Sequence, residues 1–299
     1  MWLLFALLAN LLYSVANIMD QVLRRKHIVN DSSFILAIMP VYFFIWLAII
    51  PFIEITVPPI PQLAAAVLSG FIVMFMVQIY VYAISREEIS SIMPMFQFSS
   101  VFVLVFSAFF LGEALDYPSY FGFVLMFISG VLISVEKVKK SFTVNRTLLY
   151  VVGASFILAA STLLIKFFYI TGEFWNGFFW YYLGCFLWTA FFALLPGKFR
   201  SAREQISKLR PGIVSIFVLS VIAGLLADLA YLYAVQHGPV SLVSVVGSTQ
   251  LAMLFVMTMF LTFYFPKILK ERTDRKTLLI KGAAIALMVA GLLLIGGSE

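Results

Sequence analysis

The sequence predicts an all-α integral membrane protein of ten transmembrane helices, arranged as two inverted five-helix repeats, and three observations carry that prediction. The first is composition. Of 299 residues, 63% are hydrophobic and only 11% are charged, a ratio that a single soluble core cannot bury. The second is a series of apolar runs, each long enough to cross ~30 Å of hydrocarbon. The third is self-similarity. Tyr80, Tyr82 and Ala83 return as Tyr231, Tyr233 and Ala234, and each set is followed by a polar turn, a Ser- and Gln-bearing run and a glycine-spaced closing run. Such a repeat means two copies of one unit, here 1–140 and 141–299.

The runs lie at roughly 2 to 23, 33 to 53, 62 to 84, 89 to 111, 117 to 135, 147 to 169, 174 to 195, 211 to 235, 240 to 265 and 277 to 297. Their apolarity is continuous, without the alternation of a transmembrane barrel, and helices satisfy their own backbone in lipid. Pro40 and Pro51 interrupt the second run, and the segment from Val57 to Pro61 reads as an extended loop. The aromatic cluster from Phe174 to Trp180 reads as an interface belt at the outer start of the seventh run.

Lysine and arginine orient the bundle. All but Lys166 of the 20 basic residues fall in alternate connections or at their edges, on one face, which the positive-inside tendency makes cytoplasmic. The opposite connections hold Glu54, Glu113, Asp116, Glu173 and His237. Both termini are then external. Because each unit has an odd number of helices, the second copy lies upside down relative to the first.

The residues Met93 and Pro94, Leu111, Gly112 and Glu113, and Gly122 with Gly130 resemble the EamA-type repeat of the drug/metabolite transporter (DMT) superfamily. In that repeat a proline in the fourth helix, a Gly-Glu at its end and glycines on the fifth recur. The resemblance covers the whole chain in architecture and is specific over about 80 to 133. The second copy departs from it, with Val245 in the place of the proline and Phe263 and Tyr264 in the place of Gly-Glu. It implies a secondary active transporter that moves a small metabolite, such as an amino acid, nucleoside or drug-like solute, across the plasma membrane by alternating access. Export or exchange is the expected mode, around a cavity between the halves. A flippase for lipids or lipid-linked intermediates with the same fold is the alternative. Members of the superfamily often have cytoplasmic termini, opposite to what the charges predict.

The candidate site residues are polar groups that lipid would not tolerate. Asp228 and Lys166 are ionisable and lie inside apolar runs, where they must face protein or a water-filled cavity. At ~1.5 Å per residue both fall in the outer half of the membrane, at depths compatible with pairing to each other or to a charged substrate. A structural ion pair, or a Lys166 that reaches the outer interface, are the plainer readings. Asp228 is the expected centre of proton coupling.

Asn10, Tyr13, Asn17 and Asp20 share one face of the first run, and Ser155, Thr162, Lys166 and Tyr169 form a stripe on the sixth. Such stripes face the bundle interior, as cavity wall or as interhelical glue worth ~1 kcal/mol per bond. Asn17 is a candidate substrate contact, while Asp20 lies four residues before Arg24 and is expected to pair with it. In the repeat register Gln97 corresponds to Ser248 and Tyr80 to Tyr231, all four further candidates. Glu113 reads as a helix-end or gate residue, and Gly122 and Gly130 as close-packing positions.

No HExxH, GxSxG, CxxC or phosphate loop is present, and the chain has two histidines and one cysteine, so neither an enzyme nor a cofactor or metal site is expected. The expected partners are the bilayer and a small solute, with proton coupling as an option. A nucleic acid is not among them, and the sequence leaves the oligomeric state open, a monomer being compatible with it.

Overall fold

The computed structural model describes residues 1–26, 31–84, 95–134, 146–207, 209–264 and 275–297, and every regular element in them is helical. In chain order these are α1 Trp2–Lys26, α2 Asp31–Ile49, α3 Ile60–Ile84, α4 Phe98–Phe106, α5 Tyr117–Ser134 and α6 Arg146–Tyr169. They continue as α7 Phe174–Leu194, α8 Lys198–Ile206, α9 Pro211–His237, α10 Val240–Val246, α11 Thr249–Tyr264 and α12 Arg275–Gly297. Among the described residues 8 helical stretches are long and apolar enough to cross a membrane, with α10 and α11 forming one stretch. The runs expected at 89 to 111 and 117 to 135 appear as shorter helices, and Pro94 lies outside the described residues.

Glycines and small residues let the spans approach closely. A Cβ on Gly70 of α3 would fall on the Tyr181 carbonyl of α7, and one on Gly184 of α7 on the Val67 carbonyl of α3. At the crossing of α5 and α12, a Cβ on Gly122 would lie 2.8 Å from the Gly291 oxygen, and one on Gly291 2.9 Å from the Gly122 oxygen. Without a hydrophobic force between helices in lipid, such backbone contact supplies the packing energy. α1 lies antiparallel to α9, with Trp2 against Gly238, the Phe5 and Tyr233 rings 4.2 Å apart, and Ser220 donating to Asp20 at 2.5 Å. α3 packs on α6, where the Ser69 and Ser161 hydroxyls lie 3.0 Å apart.

Four local expectations change. Pro61 belongs to the first turn of α3, since helix already begins at Ile60, and a proline there removes only an amide that would have no helical partner. α2 continues through Pro40, and Pro51 sits in a short 3-10 turn after it. The basic stretch at 198 to 210 contains α8, which buries Ala202, sets Ile206 against the bundle and leaves Phe199 exposed. One buried face with basic residues on the others is a pattern that suits a membrane interface. The cluster at 174 to 180 is mostly interior, because Asn176, Gly177, Phe178 and Phe179 are buried and only Trp175 is largely exposed. Its polar groups tie down the loop before α3: the Thr56 amide donates to Asn176 at 2.9 Å, and the Trp180 indole donates to the Thr56 carbonyl at 3.2 Å.

Candidate functional site

Asp228 projects from α9 into a collar of tyrosines. Tyr13 of α1 donates its hydroxyl to Oδ1, and Tyr182 of α7 donates to Oδ2 at 2.5 Å. Hydroxyl donors are the partners that suit an ionised carboxylate, which only accepts. The Tyr42 ring of α2 meets Tyr182 edge-on, with centroids 5.4 Å apart, and Tyr181 and Tyr231 lie within electrostatic reach of the carboxylate. Tyr231 in turn shares a 3.1 Å hydrogen bond with Thr162 of α6. Among the described residues no cation pairs with Asp228. Although four helices surround it, Asp228 is only half-buried, as are Tyr13, Tyr42, Tyr181 and Tyr231. The group therefore borders internal space instead of a filled core.

Lys166 does not meet Asp228, because its amine reaches the C-terminal end of α9 instead. Its Nζ donates to the carbonyls of Val235, Gln236 and Gly238 at 2.8, 3.2 and 2.8 Å, and so caps the C-terminal end of α9. Glu113 closes the other side of the same hairpin. Its carboxylate accepts from the amides of Val240 and Ser241 at 3.1 and 3.2 Å and from the Ser241 hydroxyl, at the N-terminal end of α10. Each charge faces the helix end of opposite partial charge. Gln236 adds a bond to the Gly172 carbonyl at 3.2 Å, and Trp2 packs on Gly238. The turn at 236 to 239 is thus held from α1, α6 and the end of α4, and it closes one end of the bundle.

Gly112, with φ 64°, ends the wide π turn that follows α4 and aims Glu113 back at α10. Only glycine adopts that angle without strain, which gives the Leu111-Gly112-Glu113 motif its structural meaning. Residues 1–135 match the EamA-like transporter family. The match ends short of the middle of the chain, yet likeness of fold reaches across it: a solved structure titled "Crystal structure of protein" superposes with a TM-score of 0.70 at 16% identity. That superposition covers 98% of this chain and 95% of the other. No curated protein matches the chain.

The remaining candidates occupy three different settings. In the EamA-like half, the stripe on α1 mostly serves the break between α10 and α11. Asn10 donates to the Val246 carbonyl and the Thr249 hydroxyl, both at 3.0 Å, and Ser14 donates to the Gln250 carbonyl at 3.1 Å. The break falls at Gly247 and Ser248 with no proline near it, because side chains of α1 take over the freed carbonyls. The first repeat has a like turn at Gln97, where Ser155 of α6 donates to the Met95 carbonyl at 2.9 Å. Gln97 and Ser248 meet across Gly130, whose Cβ would lie 2.9 Å from Gln97 Oε1 and from Ser248 Cβ. Ser248 is fully buried, so it borders packed protein instead of the space beside Asp228. Tyr80 packs its ring against Phe96, centroids 5.4 Å apart, away from the tyrosine collar that its counterpart Tyr231 joins. Asn17 is half-buried and has no hydrogen-bond partner among the described residues. Asp20 accepts from Ser220, and the side chain of Arg24 lies outside the described set.

Tyr182, Tyr42 and Tyr181 were not among the candidates. A tyrosine inside a span must find a partner for its hydroxyl, and that requirement is the signal that sets Tyr42, Tyr181 and Tyr182 apart from the phenylalanines around them.

The clamp on the hairpin leads to an expected result. Lys166→Met removes three charge-assisted bonds of about 1.5–3 kcal/mol each before relaxation, and Glu113→Gln weakens the opposite cap. Either variant should raise amide exchange at 236 to 241 by at least about tenfold while α3 and α7 stay protected. Unchanged exchange at the hairpin would show that the clamp is not needed to hold it.

Proposed function

We propose that the chain is a secondary active transporter that moves a small solute by alternating access, with Asp228 as the charge at its centre. The observation that carries this reading is a carboxylate inside the bundle, held by two phenols, bordered by space and matched by no cation among the described residues. An ionisable group in a span is costly, so one that is retained marks a functional site by default. The EamA-like match of residues 1–135 supports the class.

The contact pattern supports ten helices in two inverted halves, 1–140 and 141–299. α1, the first span of one half, packs on α9, the third of the other, and α6 packs on α3 in the same way. The carbonyls of Met95 and Val246, which stand at equivalent repeat positions, are each taken up by the first span of the opposite half. Two such halves can rock about α5 and α12, which pack on each other. Small metabolites or drug-like solutes, proton coupling, and export or exchange through the plasma membrane complete the proposal. The test is counterflow into vesicles containing the purified chain, with labelled amino acids, nucleosides and organic cations. Saturable exchange of one class supports the reading, and exchange of none overturns it.

A lipid flippase is the second reading. It is favoured by an apolar crevice between α1 and α11, lined by Val15, Ile18, Met19, Val256, Met257, Phe260 and Leu261, through which an acyl chain could enter. Fluorescent-lipid translocation without solute exchange would select it.

The charge distribution carries a topological expectation, that both termini are external. A tag at Glu299 should react with an impermeant reagent in intact cells. Reaction only after lysis reverses the orientation.

A further inference from the structure

The space beside Asp228 has a shape and a charge that specify what it takes. Gly224 precedes Asp228 by one turn on the same face of α9, and among the described atoms a Cβ built there would meet only the Tyr42 hydroxyl, 4.0 Å away. Gly70 and Gly184 mark contacts between helices, whereas Gly224 marks an opening. α1 runs antiparallel to α9 with Tyr13 at Asp228 and Asp20 at Ser220, so Asn17 stands level with Gly224. Its amide has no hydrogen-bond partner among the described residues. Across the space, Tyr42 and Tyr182 meet edge-on at 5.4 Å and Tyr181 and Tyr182 at 5.5 Å. This corner presents ring faces and edges at several angles.

Electrostatics narrows the occupant. Both donors to Asp228 are neutral hydroxyls, and Lys166 is engaged by three carbonyls at the end of α9. An anion would set two like charges together in a space of low dielectric. A zwitterion such as an amino acid would bring a carboxylate for which the described residues of this space offer no cation. A cation meets an opposite charge and aromatic faces at once, the combination that recognises organic ammonium groups.

We propose that the space between Asp228, Gly224, Tyr42 and Tyr181 binds an organic monocation with an apolar or aromatic body. The inference rests on the transporter reading and names its substrate class. The charge lies against Asp228, the body fills the opening at Gly224 against the Tyr42 and Tyr181 rings, and Asn17 supplies one hydrogen bond to a polar substituent.

The experiment uses the purified full chain in lipid nanodiscs and three probes of similar body: benzyltrimethylammonium, benzyl alcohol and benzoate. The cation should bind saturably and at least about tenfold more tightly than the alcohol, and benzoate should not bind. Gly224→Leu fills the opening with Asp228 intact and should weaken cation binding by about tenfold or more. Tyr42→Leu removes a ring face and should weaken it about 2- to 30-fold, while Tyr42→Phe, which keeps the ring, should change it less. Asp228→Asn should erase the preference for cation over alcohol. Failure of the cation to bind, binding of the alcohol or benzoate at equal or higher affinity, or cation binding indifferent to Gly224→Leu, Tyr42→Leu and Asp228→Asn each overturns the proposal. Uptake into vesicles separates the two readings. If an anion or a neutral solute is carried and the cation does not bind, the transporter stands and its substrate class is wrong. If the cation binds at Gly224 and no solute crosses, the site stands and the transporter reading fails.

Discussion

Asp228→Asn should reduce accumulation driven by a pH gradient to the level of vesicles without protein, while the variant remains inserted and folded. A proton-coupled cycle needs a group that takes up and releases a proton, and an amide does neither. The fold should survive because the asparagine oxygen can still accept from one tyrosine and its NH2 group can donate to the other phenol, each of which can turn to suit. The cost in stability is then that of weakened hydrogen bonds, about 1–3 kcal/mol. The titratable groups that face Asp228 are phenols from α1, α2, α7 and α9 and the thiol of Cys185 on α7. No amine or imidazole among the described residues stands close enough to replace it. Asp228→Glu keeps a carboxylate and should retain pH-dependent flux at a lower rate. Normal transport by Asp228→Asn with an unchanged pH profile would make the carboxylate structural and leave facilitated diffusion or lipid movement.

Gly184→Val should yield little folded protein after extraction into detergent, and Gly70→Val should do the same. At both positions the first added carbon falls on a backbone carbonyl of the facing helix, which cannot turn aside as a side chain would. α3 and α7 must separate along their length, which exceeds the ~1–3 kcal/mol of ordinary overpacking. Gly282→Ala is the control. A Cβ there meets no described atom within 4 Å, so yield and melting temperature should match the parent. Equal yields for Gly184→Val and Gly282→Ala would mean that the close approach of α3 and α7 does not hold the bundle together.

What could be read from the sequence depended on whether a signal lies along the chain or across it. Asp228 was legible because a carboxylate in the middle of an apolar run has no inexpensive explanation. Tyr182 and Tyr42 were not, since a tyrosine in a run of phenylalanines looks the same whether its hydroxyl meets a carboxylate or a headgroup. The glycines were partly legible. Gly122 does pack backbone to backbone, with Gly291 as its partner, whereas Gly282 has no close neighbour among the described atoms. A break in a span needs no proline, because the ninth run breaks at Gly247 with none and depends on Asn10 of α1.

By itself, the sequence determined the apolar solvent and the helical nature of the runs, 8 of which are long and apolar enough to cross a membrane among the described residues. Both follow from composition and from a constant rise per residue. The tertiary structure alone decided which way each helix faces about its own axis. That rotation turned Lys166 to the end of α9, set Gln97 and Ser248 against Gly130, and brought four helices of tyrosines around one carboxylate. The physical reason is that a lipid-facing helix has no strong apolar moment to fix its rotation. Only contact with its neighbours, through small residues and hydrogen bonds, chooses the face turned inward.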